Sequence, residues 1–446
     1  MDTLKESFQT IVTEAKKENA KVEILVTGGE HLKLGFQKNK LEKFESTQSQ
    51  MAGLRVILGG SQGYAYTENL SSEALMRTYK EALNNAKTVV ASDAKEIPLA
   101  KPQATVDLNL FHPEDIPMEK KMEVARTLES ACLSADSRVQ SVPYTSFVES
   151  SGYRRILNSE GLDQEFKQNS YSGWAYPLAK EGDSSKMDGD SFFARSFAEI
   201  DALKVAQEGT RKSLSRLGAK KLKTGNYAVV IDREQFPVIL SMLSGYLSAK
   251  EVYENKSLLK GLRDQRIATE KFNLIDDPLD VRGASARPFD SEGGASKKTV
   301  LFEKGTFKNY LTNLEYAEKM QLPYTAHAVR SPSSPMDIAP SNLIVGLGDR
   351  SLQELLSKYD KVIHLTEFAG ALHSGFKEST GDFSMPAEGF LYENGKCIGP
   401  VDQFVMSGNI LELLQNIDEI GNGYNKIGSS MMTPDVLIKQ LSFAGA

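Results

Sequence analysis

The sequence predicts an α+β fold of two domains, helices packed on antiparallel sheets, and three observations carry that expectation. The chain has 446 residues, whereas a single core stops growing near roughly 250–300 residues. Helix-like and strand-like stretches fall in blocks, without the regular β-α-β alternation of a parallel sheet. From Phe272 onward strand and turn signals dominate, so the second half is expected to be β-rich. Lys223-Thr224-Gly225 is the preferred boundary, dividing the chain into an α+β domain over 1–222 and a β-rich domain over 223–446.

The elements follow in order. Residues 4–17 place Leu4, Phe8, Ile11, Val12 and Ala15 at helical spacing. Val22 to Val26 reads as a strand, and 32–36, 40–49 and 53–58 alternate like antiparallel strands, with Gly59-Gly60 and Gly63 as turns. Ser71-Ser72-Glu73 opens a helix to about Val90. Residues 98–117 form a linker, and Pro117 suits the start of a helix over 118–135. Ser159-Glu160-Gly161 is a hairpin turn between strands, and 198–217 is a helix ending at Gly218. The basic run Lys220-Lys221-Leu222-Lys223 reads as its solvated end. A buried-type strand over 227–231 precedes a helix over 236–250, and shorter helices are expected near 313–320, 352–359 and 410–417.

Composition narrows the function classes. Hydrophobic residues at 40% and charged residues at 25% are those of a soluble globular protein. A net charge of −6 offers no basic footprint for nucleic acid. Cys132 and Cys397 lie far apart in apolar settings and are expected as reduced thiols. No apolar run approaches the roughly 18 residues of a membrane helix, and Met1 to Glu6 lacks the apolar core of a signal peptide. A cytoplasmic protein is expected.

The most informative stretch is 379–423. Glu393-Asn394-Gly395-Lys396 is a strong hairpin signal, because Asn-Gly takes the positive φ angles of a type I′ turn. Two further strands, 397–398 and 401–406 about Pro400, should lead to a helix from Ile410 capped by Ser407 or Asn409. Thr380-Gly381-Asp382-Phe383-Ser384, Gly389-Phe390, Glu393-Asn394-Gly395, Pro400-Val401, Gly408-Asn409 and Gly421-Asn422, together with Pro288-Phe289-Asp290-Ser291-Glu292-Gly293, occur in the order and spacing of one family. The chain resembles the TldD/PmbA proteins, also known as modulators of DNA gyrase and described as subunits of a cytosolic bacterial zinc metallopeptidase.

That resemblance implies a zinc motif H-E-x-x-G-H on the helix after the first strand of the C-terminal domain. There, paired histidines hold the metal and the glutamate activates its water. In this chain the ligand positions fall on Ser241 and Tyr246 and the base on Met242, with Gly245 retained. Neutral hydroxyls are poor zinc ligands, and a thioether accepts no proton. The late cysteine of metal-binding relatives is also missing, since 421–430 reads GNGYNKIGSS. The chain therefore resembles the PmbA, or TldE, branch. The resemblance implies no cofactor in this chain, zinc in a TldD-type partner, and a heterodimer that encloses unfolded peptide. The alternative is a stand-alone homodimeric peptide-binding or scaffold protein. A third reading is a hydrolase with a metal site built from His364, His373 and an acidic residue such as Glu367.

Peptide binding by strand addition needs little sequence from its ligand. Asp290, Ser291, Glu292 and Gly293, with Gly381, Asp382 and Phe383, are expected to border such a groove. Glycines there permit close backbone approach. Ser384-Met385-Pro386 stands where relatives often carry S-R-G, so one cation is lost from this rim. The same acidic residues sit in glycine-containing turns, where acidic side chains commonly bond their own backbone, so both roles stand open.

Overall fold

The computed structural model describes residues 3–89, 97–369 and 375–445. Residues 21–194 build a seven-stranded antiparallel sheet in the order Ser61–Thr67, Lys40–Leu58, Lys21–Gln37, Val139–Asn158, Asp163–Glu181 and Ser184–Met187, with Asp190–Ala194 also pairing to Asp163–Glu181. The turn glycine Gly59 sits at φ 60°, closing the tight hairpin to Ser61–Thr67.

Alternation along Lys21–Gln37 explains why one strand serves two cores. Val22, Ile24 and Val26 face the helices Thr3–Lys17 and Ser72–Thr88. Leu32, Leu34 and Phe36, of the same parity, face Met118–Ala135 and Ala202–Ser215. The opposite parity, Glu23 and Leu25, is also fully buried. It faces the second half of the chain: Leu25 packs with Ile156, Leu162 and Phe289.

Residues 220–444 hold an eight-stranded mixed sheet. At its centre Gly225–Ile231 pairs parallel with Lys361–Phe368 and antiparallel with Pro434–Ala444. A smaller five-stranded sheet carries Leu274–Asp276, Thr299–Glu303 and Leu343–Val345. A large apolar core, including Phe236, Leu240, Phe272, Phe302, Phe383 and Phe404, packs between these elements. Lys186 of the first sheet bridges Glu388 at 2.9 Å and Asp402 at 2.8 Å in the second. The architecture is the α+β, sheet-rich one expected. No helix among the described residues is long and apolar enough to cross a membrane.

Four local expectations are corrected. The helix over 236–250 is broken into Phe236–Ser244, a tight turn Gly245–Leu247, and Ala249–Tyr253. Ser248 is extended because its neighbours bond Leu311 on both sides: Leu311 N–H donates to the Leu247 carbonyl, and Ala249 N–H to the Leu311 carbonyl. Residues 396–409 form one strand, not two: Gly399 at φ 149° and a register shift opposite Leu391 carry it past Pro400. Lys220–Lys221 is a short edge strand pairing with Val401 and Asp402, not merely a helix end. Cys397 is exposed, whereas Cys132 is buried and its thiol is pushed up to about 11 by that burial.

Candidate functional site

The expected metal-motif residues sit together on the broken helix, and each spends its polar atom on the chain itself. Ser241 Oγ donates to the Val238 carbonyl at 2.7 Å, the ordinary i−3 bond of a helical serine. Met242 is buried in the apolar core. Tyr246 Oη donates to the Glu378 carbonyl at 2.6 Å, and its ring meets Phe376 edge-on. Burial, with the charges of Glu378 and Asp382 nearby, pushes the Tyr246 phenol up to about 12. It keeps its proton near neutral pH. A protonated phenol, a helix-bound hydroxyl and a buried thioether do not fit a zinc ion.

Tyr246 thereby touches the turn that leads into 381–383. Gly381, at φ 79°, donates its N–H to the Lys377 carbonyl and accepts from Ile410 N–H. Asp382 is exposed. Its Oδ1 accepts from Asn409 Nδ2 at 2.9 Å and its Oδ2 from Thr380 Oγ1 at 2.7 Å, which hold it below the usual carboxylate range. Asn409, the expected cap, also accepts from Leu411 N–H to start the helix Ile410–Gln415. Phe383 points inward to the C-terminal core.

Residues 290–293 lie elsewhere, against the first sheet, and are buried. Asp290 Oδ1 accepts from the N–H of Glu292 and of Gly294, and its Oδ2 accepts from Tyr324 Oη and Ala328 N–H, both at 3.0 Å. Gly293 is at φ 81°, and a Cβ on Gly294 would lie 1.8 Å from Tyr324 Oη. These glycines serve close packing, but of the chain on itself. Glu292 accepts from Arg55 Nη1 at 3.0 Å and from Leu314 N–H at 2.9 Å. Burial, despite Arg55, and repulsion from Asp290 and Glu23 push the Glu292 carboxyl up to about 7. Ser291 Oγ accepts from Arg154 Nη1 at 2.6 Å and from Arg330 N–H at 3.1 Å. Of the seven residues expected at a peptide groove, Asp382 alone presents an exposed side-chain carboxylate. The carboxylates of Asp290 and Glu292 are occupied by the protein's own donors.

His364, flagged for a metal site, meets Asp232 rather than Glu367: its Nε2 lies 3.0 Å from Asp232 Oδ2. Burial opposes the Asp232 charge, yet the bond to His364 holds its carboxyl low. Glu367 turns to Arg216 at 3.5 Å, and His373 lies outside the described residues. Asp435 comes within 4.8 Å of the Asp232–His364 pair. Both Asp435 oxygens are engaged by Arg233, however: Oδ1 accepts its N–H at 2.9 Å and Oδ2 its Nε at 3.0 Å. Among the described residues two side chains then remain for a cation, fewer than a protein metal centre ordinarily supplies.

Sequence reasoning missed the partners: Arg55, Arg154, Arg330 and Tyr324, each more than ten residues from the carboxylate or hydroxyl it serves. The signal available was an odd one, Glu23 in the middle of an apolar strand.

Comparison with known proteins matches the profile of the PmbA/TldA metallopeptidase C-terminal domain to residues 224–445, the central domain to 111–217 and domain 1 to 22–86. The metalloprotease PmbA homolog of Haemophilus influenzae is 26% identical over 99% of this chain and 96% of its own length. The metalloprotease PmbA of Escherichia coli O157:H7 is 25% identical over the same shares. Among solved structures, a protein described as a modulator of a DNA gyrase from Thermotoga maritima superposes with a TM-score of 0.91 at 25% identity, covering 99% of this chain and 100% of that one. TldE from Thermococcus kodakarensis superposes with a TM-score of 0.88 at 20% identity over 98% and 100%; this likeness shows the fold.

Proposed function

The chain belongs to the PmbA/TldD metallopeptidase family, and from that premise we propose that it is a TldE-type subunit. In this reading it holds no catalytic metal and helps a zinc-carrying TldD-type partner enclose unfolded peptides for cleavage. The observation that carries the reading is the broken helix over 241–246, where Ser241 and Tyr246 bond the chain's own carbonyls, Met242 lies in the core, and none of the three suits zinc. Asp382 is the exposed acidic group of the seven; each of its oxygens accepts one bond, from Asn409 or Thr380, and keeps a lone pair for a peptide amide or amine. Asp290 and Glu292 act from behind, by holding the 290–294 turn against the first sheet.

The test mixes the purified chain with a family member that carries H-E-x-x-G-H. The expected result is a heterodimer whose peptide hydrolysis exceeds the sum of the two separate proteins, with stoichiometric zinc in the partner. A chain that stays homodimeric, with hydrolysis unchanged, favours the stand-alone peptide-binding or scaffold alternative. Tightly held zinc in this chain alone overturns the reading.

A further inference from the structure

A cavity of about 550 Å³ is lined by Arg154 of the first sheet, Ser291 and the 329–337 segment, without Asp290 or Glu292 in its lining. Its charged lining is Arg154, Lys250, Arg287, Arg330 and Asp337. Lys250 accounts for the one carboxylate, Asp337, at 3.1 Å. Of the three arginines, only Arg330 has an ion-pair partner among the described residues. Arg330 gives Nη2 to Glu23 at 2.8 Å, but its Nε and Nη1 are buried without a partner. Arg287 has Nε and Nη2 in the same condition. Arg154 has a serine hydroxyl for its side-chain bond. Burial, and then repulsion from Arg287 and Arg330, pull the Arg154 guanidinium down to about 10 despite Asp290.

Leaving charged donors buried and unpaired is costly, and three guanidinium groups around one space repel. One ligand chemistry resolves both. A planar or tetrahedral oxyanion accepts from several N–H groups at once, and guanidinium matches it in a bidentate fork. Ser291 adds a donor, because its oxygen already accepts from Arg154 and Arg330 and its own proton has no acceptor among the described residues.

We propose that the cavity lined by Arg154, Arg287, Arg330 and Ser291 is an oxyanion-binding site, taking a carboxylate or a phosphate group. The site is independent of the metal-motif helix and does not require the subunit role proposed above.

The experiment is calorimetric titration of the full chain with three probes: inorganic phosphate, an N-acetylated tripeptide with a free C-terminal carboxylate, and its C-terminal amide. Arg287→Ala is the first variant, because Arg287 makes no side-chain hydrogen bond among the described residues that its loss would break. Arg154→Lys is the second, keeping the charge but losing the fork. Saturable binding of phosphate, weakened at least tenfold in Arg287→Ala, identifies a phosphate source. Binding of the free-acid peptide over its amide, with the same loss, identifies a carboxylate source. Either supports the site, and Arg154→Lys is expected to weaken the same probe. If neither probe binds the wild-type chain more tightly than both variants, with all proteins folded by circular dichroism, the proposal is overturned.

Discussion

The two sides of the 290–292 turn treat charge in opposite ways. On one side Asp290 and Glu292 are matched: backbone N–H groups, Tyr324 and Arg55 supply their donors. Among the described residues the unpartnered atoms there are one donor, Arg55 Nη2, and one acceptor, Glu23 Oε2, of opposite sign. On the other side Ser291 accepts from the Arg154 side chain and the Arg330 N–H, and nearby the unpartnered buried atoms of Arg287 and Arg330 are all donors. Matched buried charge joins the two halves of the chain, while unmatched buried charge of one sign marks a place for something from outside.

The comparison breaks most readily at Glu292. Glu292→Ala at pH 8 leaves Arg55 buried without its closest carboxylate, and a loss of about 3–5 kcal/mol is expected by urea unfolding. A loss below about 1 kcal/mol would show that the network is not what joins the halves.

The next effect is in pH. The Glu292 carboxyl is raised in the folded chain above its ordinary value, so the folded state holds that proton more tightly than the unfolded state. The contribution of that proton, distinct from the carboxylate's bond to Arg55, is fully present below the ordinary glutamate range and is lost as pH rises through about 7. The unfolding midpoint should therefore fall between pH 5 and pH 8, and Glu292→Gln should flatten that dependence. A midpoint rising over the same interval in wild type alone contradicts the assignment.

Tyr246→Phe removes one hydrogen bond to the Glu378 carbonyl and keeps the ring packing. A cost of about 0.5–1.5 kcal/mol is expected, with partner-supported hydrolysis unchanged within a few-fold. A loss of about a hundredfold, or about 2.7 kcal/mol of barrier, in a folded variant would place the phenol in the chemistry. Smallest of all is Arg287→Ala, which removes buried donors without partners and is expected to leave stability unchanged or raise it in urea unfolding. A loss would mean that its guanidinium already serves the fold.

Much of the architecture was legible because it rests on local rules. Apolar alternation over 22–26, the Gly59 turn, the Ser71 and Asn409 caps and the Asn394-Gly395 hairpin all appear where their residue types require. The helix break at Ser248 was not legible, since its cause is pairing with Leu311, far along the chain. Of the candidate site, the chemistry of Ser241, Met242 and Tyr246 could be read from side-chain type alone. Whether Asp290 and Glu292 faced a ligand or the chain's own donors could not, because an acidic turn reads the same in either case.

By itself the sequence determined the α+β class, the order of most elements and the unsuitability of the 241–246 positions for zinc. These depend on periodicity, turn geometry and the donor atoms a side chain carries. The tertiary structure decided which charges are paired. Glu23, Arg55, Arg154, Glu292 and Arg330 come from five separate stretches of the chain, and only folding fixes their separations and removes the water that would have screened them.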